Sequence, residues 1–176
     1  MTRPILVVFG GLPGVGKTTI AQIVARTLGA AYLRIDVIEV AMTRALDLPK
    51  DEDIGPAGYL VAYDLARSNL KLGHAVVADS VNAIEVTRAA WRNVAHAAGA
   101  GCLEVAVVCS DPDEHRRRVE ARLGDPEALE PPTWQTVTDR LYEPWPEAGL
   151  TLDTATLTPQ AAAARVCEAV AARRSR

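Results

Sequence analysis

Cysteine is sparse and shows no pairing pattern: three occur in 176 residues, Cys102, Cys109 and Cys167, and no two have C-x-x-C spacing. That excludes a disulfide framework and a zinc ribbon, and the three sulfurs are expected as buried, reduced core thiols. Aromatic residues make up only 5% of the chain, with a single phenylalanine, so alanine, valine and leucine must fill the core. Long apolar runs are missing as well. None approaches the ~20 residues of a membrane helix. The short run near the N-terminus is cut off by glycines too early for a signal peptide. A cytoplasmic protein with no membrane partner is expected. Positive charge is not in excess: 19 Lys and Arg face 22 Asp and Glu, a net charge of −3. A polyanion would need a local basic patch to bind. No internal repeat and no linker divides the chain, which reads as one domain over residues 1–176.

What is present is an alternation of apolar runs with longer helical patterns, the order of an α/β sheet. Ile5–Phe9 is continuously apolar, as a central parallel strand buried on both faces should be. Helical spacing follows over Gly16–Leu28 and stops at Gly29. A second strand is predicted over Ala31–Ile35, ending at Asp36, and a helix over Val37–Leu46. The acidic turn "DLPKDEDIGPAG" leads to a helix over Tyr59–Leu72. Further strands are predicted at Ala75–Ala78, Leu103–Cys109 and Leu150–Leu152. Helices are predicted at Glu85–Ala98, Glu114–Leu123, Thr133–Tyr142 and Pro159–Arg173. "SDPDE" before Glu114–Leu123 reads as a helix N-cap with acidic residues in the first turn.

Between the first strand and the first helix stands "GLPGVGKT", Gly11–Thr18, which meets the pattern G-x-x-x-x-G-K-[ST] at every fixed position. Its glycines let the backbone N–H groups of Gly11, Leu12, Gly14, Val15 and Gly16, on either side of Pro13, wrap a polyphosphate. The phosphate charge then sits at a positive helix N-terminus. Lys17 reaches the β- and γ-phosphates, Thr18 offers a hydroxyl to Mg²⁺, and Thr19 completes the turn. A GTPase would add D-x-x-G and N-K-x-D, and neither occurs. An oligomeric motor ATPase would end an apolar strand in Asp-Glu, whereas the third strand here ends "AVVADS", with one carboxylate.

With "LRID" (Leu33–Asp36), "VVADSVNAIEVTRAAWRNVAHAAG" (Val76–Gly99) and "HRRRVEAR" (His115–Arg122), the chain resembles P-loop kinases of the nucleoside-monophosphate-kinase-like group. Small kinases related to polynucleotide 5′-kinase and chloramphenicol phosphotransferase are the nearer likeness. The resemblance implies a three-layer P-loop NTPase: a five-stranded parallel sheet of order 2-3-1-4-5, helices on both faces, and a short lid at about 118–133. It implies ATP and Mg²⁺ as cofactors. Asp36, at the sheet's C-terminal edge, would accept the proton of an attacking hydroxyl, with Glu39 as the fallback base. Asp79 would hold Mg²⁺ or orient the acceptor, and Asn82 and Arg88 would contact substrate. Arg118 would stack on the adenine, and Arg122 would contact the transferring phosphate. Each has a plainer role too: Asp36 as a helix N-cap, Arg88 as a solvated arginine, and Arg118 and Arg122 as members of a salt-bridged helix. Arg116 and Arg117 are expected to pair with Asp113, Glu114 or Glu120. The three histidines are expected to be structural or at the surface, and Trp134, Tyr142 and Trp145 to pack under the lid.

The acceptor pocket is expected within about 37–72. Asp47, Asp51, Glu52 and Asp53 face a single Lys50 in its turn, which suits a neutral or cationic hydroxyl compound. An ATP-dependent kinase acting on a small-molecule hydroxyl is therefore the first expectation. The alternatives are a polynucleotide 5′-hydroxyl kinase, opposed by the acidic balance, and a non-catalytic nucleotide-binding regulatory module. Monomer and homodimer, and ATP and GTP, stay open at this point.

Overall fold

Five consecutive apolar residues and a glycine have no polar side to show water, and β1 (Ile5–Gly10) is accordingly buried along its whole length. The computed structural model describes residues 3–49, 52–121 and 132–174. β1 lies in the middle of a parallel sheet of five strands, ordered β2-β3-β1-β4-β5, as expected. The other strands are β2 (Ala31–Arg34), β3 (Val76–Asp79), β4 (Gly101–Val108) and β5 (Leu150–Asp153). Alternation along β1 divides the core. Ile5, Val7 and Phe9 face a layer built from α1 (Lys17–Leu28) and α7 (Pro159–Arg174). Leu6 and Val8 face the opposite layer, to which α3 (Ala57–Lys71) and α4 (Glu85–Ala97) belong. Burying each such valine, leucine or phenylalanine contributes about 1.5–3 kcal/mol, so the central strand anchors both layers.

Parallel pairing sends every strand's C-terminal end to one edge. Phe9 lies opposite Asp79 in the β1–β3 register, and Arg34 opposite Asp79 in β2–β3. The acidic end of β3 thus lies beside the loop that follows β1, where open α/β sheets bind ligands.

Most expected elements lie within a residue or two of their predicted bounds, and three differences have clear causes. Strand β2 stops at Arg34 and α2 (Ile35–Ala45) begins at once, with extended Arg34 as its N-cap. Asp36 therefore stands in the first helical turn and is not the cap. α5 (Pro112–Glu120) starts two residues early because Asp111 caps it, accepting from the N–H groups of Asp113 and Glu114 at 3.0 Å each, with Pro112 in the first turn. The helix predicted over Thr133–Tyr142 is short, α6 (Trp134–Thr138), capped by Thr133. All three cysteines are free but only partly buried, so the sulfurs lie at the margins of the core and not inside it. No helix among the described residues is long and apolar enough to cross a membrane.

Candidate functional site

The glycine loop leaves β1 and is fastened immediately, the Gly11 N–H donating to the Val81 carbonyl at 3.0 Å. Gly11 has φ +145°, and a Cβ there would fall 2.2 Å from the Val107 carbonyl oxygen, so no other residue fits. Gly16, the residue before α1, is left-handed and offers no side-chain cap. The first-turn N–H groups of α1 are consequently not consumed by a capping side chain. Lys17 is 8% exposed, and its Nζ donates to the Leu12 carbonyl at 3.0 Å. Thr18 is half-buried and Thr19 exposed on the same turn.

Asp79 is 2% exposed, and its Oδ2 accepts from the Tyr32 hydroxyl at 2.7 Å. Burial and the Asp79 carboxylate together push the Tyr32 phenol up, so it stays protonated and acts as the donor. Thr18 and Asp79 are hard oxygen donors of the kind Mg²⁺ takes, usually one or two side chains with the phosphates supplying the rest. Among the described residues no group of three or more His, Cys, Asp or Glu could hold a metal ion by itself.

Asp36 projects from the first turn of α2 with its side chain 49% exposed, and Arg34 Nη2 lies 3.4 Å from its Oδ2. Glu39, one turn further on, is pushed up to about 7 by burial, then by the Asp36 and Asp53 carboxylates, while Arg140 opposes the shift. Gly58 of α3 faces Glu39 so closely that a Cβ would fall 2.4 Å from Glu39 Cγ. Asp36, Glu39 and Gly58 thus mark the α2–α3 side of the edge, across from the glycine loop.

Asn82 and Arg88 lie elsewhere than expected of substrate contacts. Asn82 is fully buried in the left-handed region at φ 48°. Its Nδ2 donates to the Phe9 carbonyl at 2.7 Å, and its Oδ1 accepts from Trp91 Nε1 at 3.1 Å. Arg88 is 1% exposed and donates to the carbonyls of Asn82, Ala83, Glu143 and Pro144 at 2.7–3.2 Å. Its guanidinium also lies over the rings of Trp145 and Tyr142, 4.6 and 5.3 Å from their centroids. In this arrangement both side chains tie the stretch after β3 to β1, α4 and residues 142–145.

The basic helix α5 sits against the loop. Arg118 donates from Nε to Glu114 at 2.7 Å, from Nη1 to Thr154 Oγ1 at 2.8 Å, and from Nη2 to the Thr154 carbonyl at 3.0 Å. Arg116 pairs with Glu120 and Arg117 with Glu114, as expected of a solvated face. Arg122 and most of the expected lid, residues 122–131, lie outside the described residues, as do Lys50 and Asp51. Of the histidines, His115 is buried and meets the Pro13 carbonyl at 2.8 Å, with Trp134 packed edge-on to its ring at 5.1 Å.

Tyr32, Arg34 and Thr154 were not among the sequence candidates. A polar residue in an otherwise apolar strand was the available signal for Tyr32 and Arg34. Thr154, in a plain turn, had none.

A family profile described as an AAA domain matches residues 6–144. The chain is 37% identical over 87 residues to a protein of Pyrococcus abyssi named "Putative adenylate kinase", a match covering 48% of each. The chain thus spans about half the length of that curated relative. Among solved structures it is similar to a "putative kinase" of Chloroflexus aurantiacus, with TM-score 0.78 and 23% identity over 98% of both chains. It is also similar to the Mycobacterium tuberculosis APS kinase CysC solved with AMPPNP and APS, with TM-score 0.68 and 23% identity over 97% of this chain and 99% of that one. At that identity the structural likenesses show the fold.

Proposed function

The chain belongs to the AAA domain family, in its P-loop kinase branch, and from that premise we propose that it transfers the γ-phosphoryl group of ATP to a hydroxyl of a small molecule. The observation that carries this reading is the meeting of the Gly11–Thr18 loop, buried Asp79 and half-exposed Asp36 at one edge of the sheet. Loop N–H groups and Lys17 would hold the β- and γ-phosphates, and Thr18 and Asp79 would hold Mg²⁺. A bound Mg²⁺ would supply charge neutralisation to the phosphates. The acceptor oxygen bonds to the γ-phosphorus while the bond from that phosphorus to the bridging oxygen breaks. The acceptor's proton passes to Asp36, and ADP leaves. Arg122 is assigned to the transferring phosphate and Arg118 to the nucleotide.

A second reading, a nucleoside monophosphate as acceptor, is favoured by the name of the Pyrococcus relative. The carboxylates of Asp36, Glu39 and Asp53 oppose it, since they raise the cost of bringing another anion to that side. One experiment separates the readings: a panel of hydroxyl compounds, nucleoside monophosphates and 5′-hydroxyl oligonucleotides incubated with γ-labelled ATP. Label on an uncharged or cationic alcohol supports the first reading, and label on a monophosphate alone selects the second. In the same assay Asp36→Asn should lower kcat by about 10²–10³-fold with ATP affinity unchanged, the size expected for a general base. Full activity in that variant refutes the assignment of the base.

A further inference from the structure

A loop that turns its N–H groups inward onto a phosphate must turn carbonyls outward, and buried carbonyls need donors. In the glycine loop three carbonyls have side-chain donors. Leu12 O accepts from Lys17 Nζ at 3.0 Å, Pro13 O from His115 Nε2 at 2.8 Å, and Val15 O from Thr154 Oγ1 at 2.8 Å. Only the first donor belongs to the loop and its helix. The second comes from α5 and the third from the turn after β5. Because a carbonyl can only accept, the His115 ring must carry its proton on Nε2. Gly14 is packed tightly against α5: a Cβ there would fall 2.5 Å from Val119 Cγ2 and 3.3 Å from His115 Cδ2.

Thr154 does more than one job at this place. It is 9% exposed, and its Oγ1 also lies 3.1 Å from the Val108 carbonyl while accepting from Arg118 Nη1 at 2.8 Å. A hydroxyl has one hydrogen and two lone pairs. Its hydrogen is therefore shared between the Val15 and Val108 carbonyls, and a lone pair takes the arginine. The Thr154 carbonyl receives Arg118 Nη2 at 3.0 Å, and its N–H donates to Val108 O at 2.9 Å. The back of the phosphate loop, the end of β4 and the basic helix are thus joined through one side chain.

We propose that Thr154 is a positioning residue for the nucleotide. It holds the Val15 carbonyl outward and Arg118 in one orientation, and His115 does the matching work at Pro13. The effect on ATP rests on the kinase reading above, whereas the effect on the loop itself does not.

Thr154→Val keeps the volume and removes the hydroxyl, and it is read in two ways. Hydrogen exchange in the nucleotide-free protein should be faster at the amides of Gly14–Lys17 in the variant. The ATP KM should rise about five- to tenfold, the value of one neutral hydrogen bond, with kcat within about twofold. Thr154→Ser should restore both. In the pair Thr154→Val with Arg118→Ala, the loss of ATP affinity should be smaller than the product of the single losses, because the two residues act as a unit. Wild-type exchange and wild-type ATP KM in Thr154→Val overturn the proposal even if Tm falls, and so does a serine variant that restores neither. Should the valine variant not fold, His115→Phe tests the same geometry. It keeps a ring against Trp134 and drops the bond to Pro13, and unchanged exchange at Gly14–Lys17 counts against the proposal. Failure of the kinase reading looks different: the wild-type protein would not bind ATP, while the exchange comparison would still decide whether Thr154 shapes the loop.

Discussion

The two sides of the ligand edge are built by opposite means. On the glycine-loop side, backbone does the work: Gly11 is locked against Val107 and Val81, and the Leu12, Pro13 and Val15 carbonyls each have a donor. On the α2–α3 side, side chains do it. Asp36 is half-exposed, Glu39 is held partly protonated near neutral pH by burial and its neighbours, and Leu46 and Leu60 are 63% and 57% exposed. A phosphate chain is the same in every nucleotide, so a fixed mould of N–H groups can recognise it. An acceptor differs from one kinase to another, and side chains are what can be exchanged without rebuilding the loop.

Mutations on the two sides should therefore fail in different ways. Lys17→Ala removes the single charge that, on the proposed reading, the loop would place on the phosphates. Transfer should fall by about a thousandfold, comparable with losing an oxyanion donor, while circular dichroism stays native. Transfer at the wild-type rate would take the loop out of the reaction. Gly58→Ala should act on the other side alone. Its Cβ would overlap Glu39 Cγ, which must move, so the acceptor KM should rise several-fold with the ATP KM unchanged. A matching rise in both constants would show that the two sides are not separable. Smallest is the effect of pH on stability. Glu39 is raised from 4.5 to about 7, so the folded state binds the proton more tightly than the unfolded chain. Its contribution is present below about pH 4.5 and is lost as pH rises through about 7. Relative to wild type, Glu39→Gln should gain in Tm between pH 5 and pH 8, modestly because the group is only half-buried. A Tm difference independent of pH would contradict the cause given for the shift.

The contrast also explains what could be read before the fold was known. Apolar runs and glycine stops mark the strands and the loop, because burial of both faces and the φ requirements of a phosphate cradle leave a strong residue pattern, whereas the strand order follows only from the family resemblance. The β2–α2 junction was misread for want of punctuation. "AYLRIDVIEV" has no glycine or proline, and the chain passes from strand to helix at an arginine. The burial of Arg88 is not legible in the sequence, because a saturated buried guanidinium and an exposed one have the same letter. The partners that decide the matter, at Glu143 and Pro144, are distant in sequence. His115 is structural, as expected, but its partner, like that of Thr154, is a loop carbonyl, which no side-chain pattern records. Asp36 and Glu39 were visible as candidates, but the shift of one and the exposure of the other follow from α2 packing beside Asp53 and Gly58.

Arg88 has a consequence for how the molecule comes apart. A cation enclosed by four carbonyl oxygens cannot be released one bond at a time without stranding buried charge, at a cost of several kcal/mol. Residues 82–83 and 143–144 therefore separate together or not at all. In a protein whose three cysteines are all free, this polar knot acts as the crosslink. It makes the end of β3 and the stretch before β5 a single cooperative unit, and it sets a barrier that local fraying from the C-terminal side must cross in one step.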